Sequence, residues 1–138
     1  MTEFKKHIET NKKAWNKRTP VHIKSNFYNN DEFMREKNSL KLIELNAIGN
    51  VTEKSLLHLQ CHFGQDSISL ARMGAKVTAV DFSDVAIKEA KKLAKKINTR
   101  VEFIESDVLD LKLKKEFDIV FSSYGVIGWL PDLDMWAK

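Results

Sequence analysis

The spacing of apolar and polar positions divides the chain into an irregular first third and a regular remainder. From residue 55 onward, short β-branched or leucine-rich runs alternate with stretches of helical period. Ser55–Leu59 predicts a first strand, followed by a turn at Gln60–Gly64 and a helix over about Gln65–Met73, with Ile68 and Ala71 inward. Gly74 stops that helix, and Lys76–Val80 predicts a second strand ending at Asp81. Ser83 is a good N-cap for a helix in which Ala86, Ala90, Leu93, Ala94 and Ile97 share a face while the lysines point out. Val101–Ile104 and Phe117–Phe121 predict the third and fourth strands. Strands alternating with helices predict an α/β fold with a parallel, Rossmann-like sheet and crossover helices.

The first fifty residues read as a helical lead-in or lid segment, and residues 51–138 as the sheet-bearing unit. Phe4–Arg18 has helix formers and is expected to stop at Thr19-Pro20, because proline disfavours helix at the residue before it. Phe27–Asp31 is turn-prone. From Ser39 a second helical stretch places Leu40, Ile43 and Ala47 on one face, with Gly49-Asn50 as its stop.

Composition narrows the function classes. No apolar run is long enough for a membrane span, the N-terminus lacks the apolar core of a secretory signal, and Cys61, the lone cysteine, fits a reducing, cytoplasmic setting. The pI of about 9.1 comes mostly from residues 1–24, which carry a net +5 within a whole-chain charge of +4. A second basic cluster, Lys88–Lys96, has no interleaved aromatic residue and reads as a solvated helix face, so a nucleic-acid partner is not favoured. The four histidines show no metal-ligand spacing, and no metal is expected. Trp129 and Trp136 read as packing groups, and His22 and Tyr28 as ordinary lead-in residues rather than parts of a lid or a base.

Ligands of open α/β sheets bind beyond the carboxyl ends of the strands. Polar residues stand at all four ends here: Gln60–Asp66, Asp81–Ser83, Ser106–Val108 and Ser122–Gly125. Asp81, at the tip of strand two, stands where an acidic residue accepts hydrogen bonds from ribose hydroxyls. Asp107 repeats the arrangement one strand on, beside a place for an adenine amino group. A dinucleotide loop needs several glycines, but only Gly64 is present, and Asp66 would repel a pyrophosphate. An amino acid tail would instead find Asp66 and backbone amides useful, which favours S-adenosylmethionine over NAD. Cys61 reads as a small apolar residue in a tight turn, not a nucleophile.

These segments, Leu56–Asp66 and Gly74–Ser83, resemble the class I S-adenosylmethionine-dependent methyltransferases, and more narrowly a bacterial branch with a Leu-Gln-Cys-His-Phe-Gly first loop. The resemblance continues through Phe117–Phe121, Tyr124–Ile127 and Trp129–Leu133, and back to Trp15-Asn16 and Arg18–His22. It implies that Gln60, Cys61 and Gly64 line the methionine part of the cofactor and that Asp81 holds the ribose with Phe82 beside the adenine. It further implies an adenine edge at Asp107 and Val108, and an opening towards the sulfonium and acceptor at Ser123 and Tyr124. His58, Gln60 and His62 depart from the commonest class pattern of an acid and two glycines, a departure that the branch with this loop shares. The resemblance implies a strand order of 3-2-1-4, part of a seven-stranded sheet, with an apolar fourth strand left at an edge where chains could associate. The expected activity is methyl transfer to a small-molecule acceptor, with no catalytic residue assigned. A truncated nucleoside-binding or self-associating module is the alternative, and an NAD-dependent oxidoreductase a weaker one.

Overall fold

The computed structural model describes residues 3–35 and 37–138. Four strands, β1 (Ser55–Leu59), β2 (Lys76–Asp81), β3 (Glu102–Glu105) and β4 (Ile119–Phe121), form one parallel sheet in the order β3-β2-β1-β4. The expected order is therefore observed, with β3 one residue later and β4 two residues shorter than their apolar runs suggested. Helix α4 (Gln65–Arg72) crosses from β1 to β2, and α5 (Asp84–Lys96) from β2 to β3. No helix lies between β3 and β4.

The two faces of the sheet follow the two-residue period of the strands. Leu56, Val77, Ala79 and Phe103 face α4 and α5 and pack with Ile68, Leu70, Ile87, Ala90 and Ala94. Leu57, Leu59 and Val80 face the other way, onto Ile104, Val108, Leu111, Leu113, Phe117 and Trp136. Ser83 caps α5 as expected, its Oγ accepting the Ala86 amide at 3.0 Å.

The lead-in forms α1 (Glu3–Ile23), α2 (Asn30–Met34) and α3 (Leu42–Ile48). Two expectations fail here. Helix α1 runs through Thr19-Pro20 to Ile23. An interior proline costs about 3 kcal/mol, but the turn around it is held from outside. Thr19 is fully buried with its hydroxyl donating to the Trp15 carbonyl, and His22 in the next turn reaches His62. The second failure concerns α3. Leu40 is buried as expected, but Ile43 is 74% exposed and Ala47 is exposed too. The inward positions are Glu44, Leu45 and Ile48, because the helix starts two residues after Leu40 and turns a different stripe to the core. Phe33 and Leu40 join the same core cluster as the sheet, so the lead-in is packed on the strand-bearing unit. Among the described residues, no helix is long and apolar enough to cross a membrane.

Candidate functional site

A cavity of about 600 Å³ opens at the carboxyl ends of β1, β2 and β4, a size usual for small-molecule sites. Its floor is the loop between β1 and α4, Gln60 to Asp66, and its far walls are Asp81-Phe82 and Ser123–Val126. The lead-in closes the remaining side with Trp15, Tyr28, Phe33 and the segment 37–41.

The floor turns sharply. Gln60, His62 and Gly64 take left-handed φ values of 56°, 53° and 83°. At Gly64 the requirement is steric as well as conformational, since a Cβ there would stand 2.8 Å from the Phe103 ring and 3.1 Å from Ala90 Cβ. The loop is pinned to the neighbouring strand by two backbone amides. Cys61 N–H donates to the Val80 carbonyl at 2.9 Å, and His62 N–H to Asp81 Oδ2 at 2.8 Å. The other Asp81 oxygen accepts the Ser83 amide at 2.9 Å. Each carboxylate oxygen has a second lone pair, so Asp81 is fixed in place with acceptor capacity to spare.

Burial sets the charges. It raises the pKa of Asp81, against the backbone amides that hold it down, and likewise raises that of Asp66. Asp66 accepts from Ser39 Oγ at 2.6 Å and from Ser123 Oγ at 3.4 Å, which joins α4, the lead-in and the end of β4. Gln60 donates through Nε2 to the Val126 carbonyl at 3.3 Å, while its Oε1 is buried with no partner. His58 is driven down to about 3 by desolvation, and its Nδ1 lies 2.7 Å from Ser67 Oγ. Desolvation, with a smaller contribution from Asp81, pushes the Cys61 thiol up and keeps it unreactive. Tyr124 lies beside the Glu44 carboxylate, which raises its hydroxyl to about 12.

The fold thus brings together on one cavity Gln60, Cys61, Gly64, Asp66, Asp81, Phe82, Ser123 and Tyr124. Asp107 and Val108 are not among its walls. The Asp107 carboxylate accepts the Leu109 amide at 3.0 Å and Val108 packs in the second core cluster, although Ser106 N–H bonds the Asp81 carbonyl and keeps this strand end alongside. Sequence reasoning took residues 1–50 as a lead-in or lid segment without assigning Trp15 or Tyr28 to the cavity wall. Trp15 packs edge-on to Trp129 at 5.4 Å and to His62 at 5.2 Å, and all three line the cavity. Trp129 is therefore both a packing group and a wall, whereas Trp136 serves only the second core cluster. Aromatic residues in an otherwise polar lead-in were the available signal.

A family model described as a methyltransferase domain matches residues 56–137. Among curated proteins, the mitochondrial ubiquinone biosynthesis O-methyltransferase of Schizosaccharomyces pombe is 44% identical over 70 residues, which are 49% of this chain and 26% of that protein. Among solved structures, magnesium protoporphyrin IX methyltransferase from Synechocystis PCC 6803 with bound SAM shares 26% identity at a TM-score of 0.57, over 67% of this chain and 45% of that one. Phosphoethanolamine N-methyltransferase 1 of Haemonchus contortus covers 94% of this chain and 28% of its own, with a TM-score of 0.69 and 18% identity, a likeness of fold that takes in the lead-in. The chain spans about a quarter of the length of the curated relative and less than half of either structure. With the strand order, the strand-end cavity and a domain match over more than half its length, the chain belongs to the class I S-adenosylmethionine-dependent methyltransferases.

Proposed function

We propose that this chain binds S-adenosylmethionine in the strand-end cavity and forms the cofactor-binding part of an enzyme that methylates a small molecule. One observation carries the reading: carboxylates stand at two edges of the cavity, Asp81 at the end of β2 and Asp66, bonded to Ser123, beside the end of β4. The ammonium of an amino acid tail supplies three donors, which suits Asp66. Asp81 accepts from the ribose hydroxyls at the opposite end, with Phe82 against the adenine and Asp107 and Val108 at its outer edge. Gly64 keeps the loop thin, Cys61 fills the turn, and Ser123 and Tyr124 stand on the side from which the acceptor arrives. The cofactor supplies an electrophilic methyl group on a sulfonium. The chain's own part is to hold it in line with the acceptor and to exclude water, which supplies much of the rate.

Both oxygen and nitrogen acceptors occur among the similar proteins, since the Schizosaccharomyces pombe protein is named as an O-methyltransferase and the Haemonchus contortus protein as an N-methyltransferase. Calorimetric titration with S-adenosylhomocysteine tests the reading. Saturable binding is expected, weakened at least tenfold in Asp81→Ala with the far-ultraviolet circular dichroism unchanged. Absence of heat at millimolar ligand, or equal binding of NAD, would overturn it.

A further inference from the structure

Resting on the cofactor reading above, we propose that His62 takes the proton of the methyl acceptor, that His22 is its positioning residue, and that the acceptor is a planar hydroxyl compound. His62 lines the cavity with its ring against those of Trp15 and Tyr28, and Trp15 in turn packs on Trp129. Its backbone is anchored by the amide bond to Asp81, so the ring is presented from a fixed point. Nε2 lies 3.0 Å from Nδ1 of His22, which does not line the cavity. Two imidazole nitrogens at that distance share one hydrogen, so the tautomers of the two rings are set together. With the hydrogen on His62 Nε2, His62 Nδ1 carries a free lone pair, and that atom has no hydrogen-bond partner among the described residues. The arrangement links the cavity wall to a partly exposed imidazole outside it.

The ionisable groups around the pair are few. Arg18 lies on the same helix as His22, Tyr28 comes from the turn after α1, and Asp81 lies under the loop. Desolvation, and after it the charge of Arg18 standing over the Trp15 and Trp129 rings, keeps His22 from charging. Both rings are therefore neutral at neutral pH, as a proton acceptor must be. The surrounding rings of Trp15, Tyr28 and Trp129 offer flat apolar walls, which suit a planar acceptor.

In the step itself, a lone pair of the acceptor oxygen forms the new carbon–oxygen bond. The carbon–sulfur bond breaks and leaves its electron pair on sulfur. The hydroxyl proton moves to His62 Nδ1 as the hydrogen on Nε2 passes to His22 Nδ1, and His22 releases its Nε2 proton to solvent. The transfer is late, because the oxygen becomes strongly acidic only as it shares its lone pair with carbon. A weakly basic imidazole suffices for that.

The test compares phenol with anisole, which has the same ring without the hydroxyl hydrogen, on the full chain loaded with S-adenosylhomocysteine. Phenol is expected to bind at least tenfold more tightly and to shift the His62 Nδ1 signal in imidazole ¹⁵N spectra, with no such shift for anisole. The preference is expected to fall below threefold in His62→Ala, measured at a saturating concentration of S-adenosylhomocysteine. His22→Phe keeps the ring contacts but cannot share the hydrogen, and is expected to change the His62 tautomer signal. Equal binding of the two probes, no binding of either, or a preference that survives in His62→Ala overturns the proposal and leaves the cofactor reading standing. Failure of S-adenosylhomocysteine itself to bind overturns the cofactor reading, and this one with it.

Discussion

At the scale of single residues, the site is made by positions that do two jobs. Gly64 opens α4 and also lets Phe103 and Ala90 close over the loop. Gly64→Ala is expected to cost about 1–2 kcal/mol for the left-handed backbone and about 1–3 kcal/mol for overpacking. Gly125→Ala, with φ 70° and nothing within 4 Å of the added Cβ, should show only the first cost. Urea unfolding of the pair checks the difference.

The buried histidines give the fold a pH dependence whose sign can be worked out. Free imidazole titrates near 6.5, but His58 and His62 are both driven to about 3. Below 6.5 the unfolded chain takes up protons that the folded chain refuses, so stability falls as pH drops from there towards the folded values. Each group contributes a slope of about 1.4 kcal/mol per pH unit in that window. Between pH 7 and 5.5 the two should together remove about 2–3 kcal/mol. Asp66 and Asp81 have raised pKa values, so they oppose the loss as pH falls from those raised values to the usual carboxylate value, and not below it. Replacing His58 with Gln should remove about half of the pH-dependent loss, read from urea midpoints at the two pH values.

At the scale of elements, α1 shows how tertiary contacts overrule a local stop signal. Asn16 donates to Asp84 Oδ1 at 2.8 Å and accepts from Ser83 Oγ at 2.5 Å, so it is docked on the N-terminus of α5. Lys12 adds an ion pair to Glu105 at 2.7 Å. These bonds lie before Pro20, and buried Thr19 and the His22–His62 bond hold the turn that contains it. Pro20→Ala is therefore expected to stabilise the protein, by about 1–3 kcal/mol, because it restores a helical amide without disturbing any of them. Ser83→Ala removes both the cap of α5 and the hold on Asn16, and should cost about 1–2 kcal/mol. Thermal and urea midpoints distinguish these opposite signs.

The strands and crossovers were legible because their signals are local. Val77, Thr78 and Val80 are β-branched, Ser83 is a cap, and the stripe of α5 faces the sheet as its spacing requires. Helix α3 was legible as a helix but not in its buried face. Which of two adjacent stripes goes inward depends on what the helix meets, here Leu40 already buried beneath it.

At the scale of the molecule, β4 is the open side of the sheet. Val120 is 62% exposed, and a shallow groove runs between β4 and α3, lined by Ile43, Ala47, Ile119 and Phe121. A parallel strand with one unpaired edge and apolar flanks is prone to association. We expect the sedimentation coefficient of the isolated chain to rise with concentration and to become constant in Val120→Lys. A strict monomer at high concentration would show that the edge is otherwise protected.

The residues alone determined the sheet, its order through the family resemblance, and the strand-end positions of Gln60, Asp66, Asp81 and Ser123. These follow from short-range periodicity, turn chemistry and the rule that ligands sit at strand ends. Only the tertiary structure decided that a polar lead-in would form one wall of the cavity. It brought His22 to His62 and Trp15 to Trp129, contacts between residues 40 and 114 positions apart. It also turned the carboxylate of Asp107 onto its own loop. No local pattern encodes such meetings, because they depend on how separate elements share a common core.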